Sequence, residues 1–133
     1  MTRPPLCLIA VLALAGCGGG GGSFKDDLSF GTGVDATFQA LVGVADSFDT
    51  RTTSLVWFRM ESSASFEGRF VRLYFNTLEQ KDYAGCASQD AHICVSQFAV
   101  STPGTWQVKA YLVKTVIDIG QETLVASHTL TLR

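Results

Sequence analysis

The 133-residue sequence predicts an all-β fold, an antiparallel β-sandwich, for the part of the chain that follows an N-terminal leader. Three observations predict it. Apolar residues recur at every second position in several short segments, turn-forming residues separate these segments, and helical periodicity is scarce. Six or seven short strands in roughly 100 residues suit two packed sheets. The length suffices for one domain with its own core.

The strand candidates follow one another along the chain in six segments, residues 36–45, 54–60, 69–75, 93–100, 105–113 and 123–132. The first places Phe38, Ala40, Val42 and Val44 on one parity. The second, SLVWFRM, is apolar on both parities, which is typical of a strand covered on both faces. In the third, Val71, Leu73 and Phe75 oppose Arg72 and Tyr74.

The last two segments predict an antiparallel hairpin. Trp106, Val108, Ala110 and Leu112 alternate with polar residues, and a Pro103-Gly104 turn signal precedes them. After the DIGQ sequence at 118–121, one side carries Leu124, Ala126, Leu130 and Leu132. His128 shares that parity, which indicates a hydrogen-bonded core or edge histidine.

The segment Pro103–Ala110 (PGTWQVKA) resembles the P-G-x-[WY]-x-V start of the penultimate strand in bacterial immunoglobulin-like domains. This resemblance implies an immunoglobulin-like sandwich over residues 34–133. It also implies that Trp57, on a middle strand, is the core tryptophan of such folds. The chain departs from the antibody pattern, because Cys86 and Cys94 are too close in sequence to bridge two sheets.

The N-terminus has the layout of a secretory signal peptide. Arg3 precedes an uncharged apolar segment, Leu6–Ala15, and small residues follow. As a helix, that segment would extend only ~15 Å, about half of a ~30 Å hydrocarbon core. The glycines at 18–22 prevent its extension. A permanent transmembrane helix is therefore not expected.

The sequence Leu14-Ala15-Gly16-Cys17 resembles the lipobox of bacterial lipoproteins. The resemblance implies cleavage before Cys17 and acylation of that cysteine with diacylglyceryl and palmitate-type chains. Gly18, where inner-membrane lipoproteins of Gram-negative bacteria carry aspartate, implies the outer membrane if the source is Gram-negative. The alternative is cleavage elsewhere, with Cys17 an ordinary cysteine. The expected organisation is signal peptide 1–16, lipidated cysteine and glycine-rich linker 17–33, and domain 34–133.

The cysteines sort into two groups. Cys7 leaves with the signal peptide and Cys17 receives lipid, so Cys86 and Cys94 remain and predict a disulfide in an exported chain. Closing that short loop stabilises by roughly 2.5 kcal/mol in the chain-entropy model. The alternative is a metal site that adds Asp90 and His92, but the spacing matches no zinc pattern. We expect neither metal nor cofactor.

Sequence motifs for catalysis are lacking. The chain has no G-x-S-x-G, no H-E-x-x-H and no phosphate loop. Dispersed carboxylates at Glu61, Glu67, Glu79 and Asp82 leave open a glycan-acting enzyme, which is the least favoured interpretation. The formal charge of −2 becomes −3 when Arg3 is removed, and no basic patch indicates nucleic-acid binding.

Two polar loops, 61–68 and 77–92, are the candidate recognition surface, with Phe66, Tyr83, Asp90 and His92 as candidate binding residues. Phe66 has an alternative role as a satellite core residue. These patterns together predict a lipid-anchored cell-envelope lipoprotein whose sandwich binds another envelope component, a protein or a glycan. The alternative is a structural envelope protein without a discrete partner.

Overall fold

The computed structural model describes residues 23–66, 68–76, 79–83, 91–114 and 122–133. Regular structure in these ranges consists of ten strands: β1 Asp27–Gly31, β2 Gly33–Val34, β3 Leu41–Val42, β4 Ser47–Phe48, β5 Leu55–Glu61, β6 Phe70–Phe75, β7 Glu79–Tyr83, β8 Ile93–Ala99, β9 Gly104–Val113 and β10 Thr123–Leu132. Within the same ranges, no helix is long and apolar enough to cross a membrane.

The strands form two main sheets and one small one. The three-stranded sheet has the order β1-β5-β8, and the five-stranded sheet has the order β4-β10-β9-β6-β7. Neighbours are antiparallel except β4 and β10, which run parallel. The pair β2-β3 forms a separate antiparallel hairpin. The predicted all-β class with antiparallel sheets is confirmed, as is the β9-β10 pairing.

Both main sheets contribute to one hydrophobic core. Val56, Phe58 and Met60 of β5 are fully buried, and so are Val108 and Ala110 of β9. These residues recur at every second position because successive side chains of a strand point to opposite faces. The rings of Phe75 on β6 and Phe98 on β8 meet edge to face at 5.0 Å and connect the two sheets.

A strand occupies the segment that was expected to be linker. β1 pairs with β5 over five residues, and its Leu28 and Phe30 are buried in the core. The predicted domain boundary at residue 34 is therefore wrong: the folded part begins by Asp27. Two core side chains alternating over five residues give too short a pattern to stand out beside the charges and glycines around them.

The strand predicted for residues 36–45 is also wrong. A turn centred on Asp35 interrupts it, and only β3 at Leu41–Val42 is extended. The carboxylate of Asp35 accepts the backbone N–H groups of Gln39 and Ala40. Such local bonds offer the backbone an alternative to a sheet ladder. Val42 and Val44 are exposed instead of buried.

Three further expectations need correction. Trp57 is not a core residue, because β5 directs Val56 and Phe58 inward and Trp57 to the opposite face. Leu124 is exposed, since a register shift in β10 between Leu124 and Ala126 breaks the assumed alternation. The predicted loop 77–92 contains a strand, β7, which pairs with β6.

Candidate functional site

An open pocket of about 290 Å³ lies where β8 passes into β9. Its apolar wall combines residues of both main sheets, namely Phe75, Phe98, Val100, Trp106, Leu130 and Leu132. Lys81, Ser101 and Thr102 supply the polar part of the lining. Most ligand sites have this composition, an apolar wall with a few polar groups that fix orientation. The volume suits one aromatic or short aliphatic group.

The indole N–H of Trp106 is the distinctive polar group of this pocket. Its Nε1 atom is buried and has no hydrogen-bond partner among the described residues. An unsatisfied buried donor costs ~1–3 kcal/mol. A ligand oxygen that accepted this N–H, after a shift of the indole that exposed the nitrogen, would recover part of that free energy. The donor therefore favours an acceptor-bearing ligand over a purely hydrocarbon one.

A cation lies in the same lining. The Nζ atom of Lys81 is 5.8 Å from the centroid of the Phe75 ring. Both residues line the pocket. A lysine ammonium is a compact charge on a flexible stem, so it can follow an anion at a pocket mouth. Lys81 and the Trp106 donor thus both favour a ligand with negative charge or an acceptor oxygen.

Gly104 lies beside the indole of Trp106 in an unusual backbone conformation. Gly104 has a φ of +155°, which residues with a side chain rarely adopt, and its position faces Leu132 across the β9-β10 ladder. A Cβ atom added at Gly104 would lie 3.5 Å from Trp106 Nε1. Gly104 therefore fits this position because of its backbone conformation.

Among the described side chains, Phe66 and His92 do not line the pocket. Phe66 packs against the hydrophobic core, so its alternative role as a satellite core residue is confirmed. His92 Nδ1 lies 2.9 Å from the carbonyl oxygen of Ser62, and its ring stacks on Phe24 at 4.1 Å. The backbone of Tyr83 ends β7, while its side chain, like Asp90, lies outside the described part.

The pocket and the N-terminal end of β1 lie at opposite ends of the fold. Leu55 and Ala99 pair at the pocket end, whereas Glu61 pairs with both Asp27 and Ile93 at the other end. Six residue steps of ~3.3 Å separate these ends by roughly 20 Å. Lys81 lies in the predicted recognition loop 77–92, but nothing in the sequence marked Ser101 or Thr102, because only the folded chain brings them to Trp106.

The two cysteine predictions fall partly or wholly outside the described residues. Cys17, the proposed site of lipidation, precedes residue 23, and Cys86 lies in the gap between 83 and 91. Cys94 is fully buried on β8. The Cys86–Cys94 disulfide therefore stays a prediction, and absence of free thiol at either position in the purified protein is the expected result.

His128 is a hydrogen-bonded edge histidine, as expected. Its Nε2 atom lies 2.6 Å from Asp46 Oδ1, and its ring meets that of Phe30 edge to face. Asp46 belongs to the segment that leads into β4, whose parallel pairing with β10 brings the two side chains together. The pair fastens the edge of the five-stranded sheet. In the described ranges, no group of three or more His, Cys, Asp or Glu residues is placed to hold a metal ion.

Arg72 is a buried charge that the sequence pattern placed on a strand exterior. It is fully buried on β6, and its Nη1 atom lies 3.1 Å from Glu122 Oε2. The hydroxyl of Tyr74 donates a hydrogen bond to the same carboxylate oxygen, and this bond raises the pKa of Tyr74. Alternation alone could not reveal it, since Glu122 lies 50 residues away in sequence.

The junction between linker and domain is a second polar cluster. The backbone N–H of Lys25 donates to Glu61 Oε2 at 2.9 Å, and Arg59 Nη1 lies 2.9 Å from Glu61 Oε1. The Lys25 N–H is the main reason why the pKa of Glu61 lies below its ordinary value of 4.5, with Arg59 contributing. We call Lys25, Arg59 and Glu61 the tether junction.

Glu61 should make stability depend on pH in the acid range. A carboxylate with a lowered folded-state pKa stabilises the fold fully above its ordinary pKa, and this contribution is lost as the pH falls. We expect Glu61→Gln to unfold at lower urea concentration than wild type at pH 7, with a smaller difference at pH 3. Equal differences at the two pH values would contradict the assignment.

Comparison of the chain with protein-family models, with curated proteins and with solved structures found no match.

Proposed function

We propose that this protein is a lipid-anchored cell-envelope lipoprotein whose β-sandwich is a binding module for another envelope component. The anchor is supported by Arg3, the apolar segment Leu6–Ala15 and the lipobox-like Leu14–Cys17. Gly18 favours the outer membrane in a Gram-negative source. With two or three acyl chains, attachment is stable, whereas one chain would leave it marginal.

An immunoglobulin-like arrangement is part of the proposal, and the strand order supports it. In such sandwiches the first, second and fifth main strands share one sheet, and the third, sixth and seventh share the other. Counting strands of five residues or more, β1, β5 and β8 correspond to the first set. β6, β9 and β10 correspond to the second, and β7 adds the extra edge strand seen in variable-type domains.

The observation that carries the binding function is the pocket with the unsatisfied Trp106 N–H. It combines apolar walls from two sheets with a donor and a cation, and it lies at the opposite end from the tether junction. Six residues separate Cys17 from Phe24, whose ring stacks on His92, and as a flexible chain they span ~12–15 Å. Confinement of both partners near one membrane raises their effective concentration, so a shallow pocket suffices.

Two probes with the same hydrocarbon part test the chemistry of the pocket. We expect 3-phenylpropionate to change the fluorescence of Trp106 saturably in the Trp57→Phe variant, where Trp106 is the only tryptophan. 3-Phenylpropylamine, which carries a cation and no acceptor in its ammonium form, should bind about tenfold more weakly, since a hydrogen bond to a charged group contributes ~1.5–3 kcal/mol. Equal affinity for both probes would contradict the proposal that the ligand carries an acceptor oxygen or a negative charge.

Calorimetric titration with 3-phenylpropionate separates the two polar groups. Trp106→Phe keeps an aromatic wall but removes the N–H, and Lys81→Met removes the cation while keeping a flexible stem. Both should weaken binding, and Trp57→Phe, whose substitution lies on the outer face of β5, should not. Unchanged affinity in Trp106→Phe would show that the donor has no role.

A photo-reactive residue tests for a macromolecular partner. Thr102 is an exposed residue in the lining of the pocket, and Ser127 is an exposed residue of β10 outside it. A cross-linker at position 102 should capture one stoichiometric envelope component in membranes, while the same group at position 127 should not. Capture at neither position would favour the structural alternative.

A further inference from the structure

A group of large apolar side chains is exposed beside the three-stranded sheet. Phe38 is 42% exposed, Val42 53%, Val44 64% and Leu55 45%. The ring of Phe38 lies 6.3 Å from that of Trp57, which is on the outer face of β5. We call Phe38, Val42, Val44, Leu55 and Trp57 the apolar face. A group of exposed large apolar residues on one side of a domain often marks an interaction site.

The conformation of Phe38 is the second observation. Its φ is +56°, a left-handed conformation that is unfavourable for an aromatic residue. The Asp35 turn imposes it: the Phe38 N–H donates to the Asp35 carbonyl at 3.2 Å, and the Asp35 carboxylate accepts from Thr37, Gln39 and Ala40. Burial compensates this strain only in part, because Phe38 is 42% exposed. Strained residues that the surrounding structure holds in place cluster at functional sites.

The position of the Asp35 turn is the third observation. Arg59 Nε donates to the carbonyl oxygen of Gln39 at 2.6 Å, and Arg59 also bonds Glu61, which accepts the N–H of Lys25. Gln39 is therefore connected to Lys25 through two side chains, the guanidinium of Arg59 and the carboxylate of Glu61. The turn that presents Phe38 lies directly beside the tether junction.

We propose that the apolar face lies against the lipid bilayer to which the chain is anchored. The proposal rests on the lipid anchor at Cys17. Only six residues lie between Cys17 and Phe24, whose ring stacks on His92, so the tether junction stays near the headgroups and the neighbouring Phe38 is within reach of the acyl-chain boundary. Aromatic and aliphatic side chains of interfacial elements enter this region to ~5–10 Å. The domain is thus held by its lipid and oriented by its own surface.

The two tryptophans allow a direct test. The full-length lipidated Trp106→Phe variant, with Trp57 as its only tryptophan, is reconstituted into phosphatidylethanolamine–phosphatidylglycerol vesicles with and without brominated acyl chains. We expect brominated lipid to reduce Trp57 emission roughly twofold, as for a ring at interfacial depth. The matched Trp57→Phe variant, which reports on Trp106 in the pocket, should show little quenching.

Two further variants separate the apolar face from general hydrophobicity. Phe38→Gly removes the ring at a φ that glycine adopts readily, so we expect an unchanged or higher melting midpoint and loss of most Trp57 quenching. Leu124→Ser alters an equally exposed apolar residue on β10 and should leave quenching unchanged.

The outcomes distinguish this proposal from the anchor itself. Protein that fails to sediment with vesicles contradicts the lipid anchor. Protein that sediments while Trp57 stays unquenched overturns the membrane contact alone. Unquenched Trp57 together with cross-links between copies through position 38 would assign the apolar face to self-association instead and also overturns it.

Discussion

The Cys17→Ser variant is expected to leave the membrane fraction and appear in the soluble fraction. Serine keeps the size of the residue but lacks the thiol that would be acylated. Each buried methylene contributes ~0.8 kcal/mol to membrane affinity, so loss of two or three acyl chains should reduce partitioning by many orders of magnitude. Fractionation with and without detergent measures the change.

Cys7→Ser provides the matched control. Cys7 lies within the predicted signal peptide and is expected to be removed with it, so this variant should remain in the membrane fraction. Mass spectrometry of the mature protein should find an acylated N-terminus at Cys17. Retention of Cys17→Ser by membranes, or a mature chain that begins elsewhere, would contradict the anchor.

The Arg72→Ala variant should lose ~3–5 kcal/mol of folding free energy, because removing one partner of a buried ion pair leaves the other charge uncompensated. Arg72 is fully buried, and both its Nη1 and the hydroxyl of Tyr74 bond the Glu122 carboxylate. Urea unfolding monitored by circular dichroism measures the loss. A change below 1 kcal/mol would mean that the pair is solvated in solution.

Arg51→Ala is the matched control, because Arg51 also forms an ion pair but its side chain is exposed to solvent. Its Nη2 atom lies 2.7 Å from Asp49, but the Arg51 side chain is 86% exposed. Exposed ion pairs contribute ~0–1 kcal/mol, so Arg51→Ala should hardly alter stability. The double variant Arg72→Met, Glu122→Leu should recover much of what Arg72→Ala loses, since apolar residues of similar size often replace a buried pair without cost.

The main strands were predictable because their pattern is local. β5, β6, β8, β9 and β10 are six to ten residues long, which is long enough for a period of two to be recognised, and in β5 and much of β9 the buried residues alternate with less buried ones. The β9-β10 pairing followed from their adjacency in sequence. The fold class therefore depends on information contained within individual strands.

The features that sequence missed depend on contacts between distant residues. Arg72 appeared to be a surface charge because its partner Glu122 lies on another segment. The sequence pattern placed Phe38 in an apolar alternation. In the structure, hydrogen bonds from the backbone to the Asp35 side chain form a turn there instead. The pocket needs side chains from β6, β8, β9 and β10 together with Lys81 of β7. Contacts between segments that are distant in sequence leave no periodic pattern within any one segment.

The pairing of β1 with β5 has a mechanical consequence. β1 is the first strand after the linker, so a pull on an anchored N-terminus would reach the fold through Asp27. Five residue pairs join β1 to β5, and a force along the strand loads their hydrogen bonds together instead of opening them in succession. Trp106 and Leu130 belong to the other sheet. The part of the pocket wall that they form would keep its shape under such a pull.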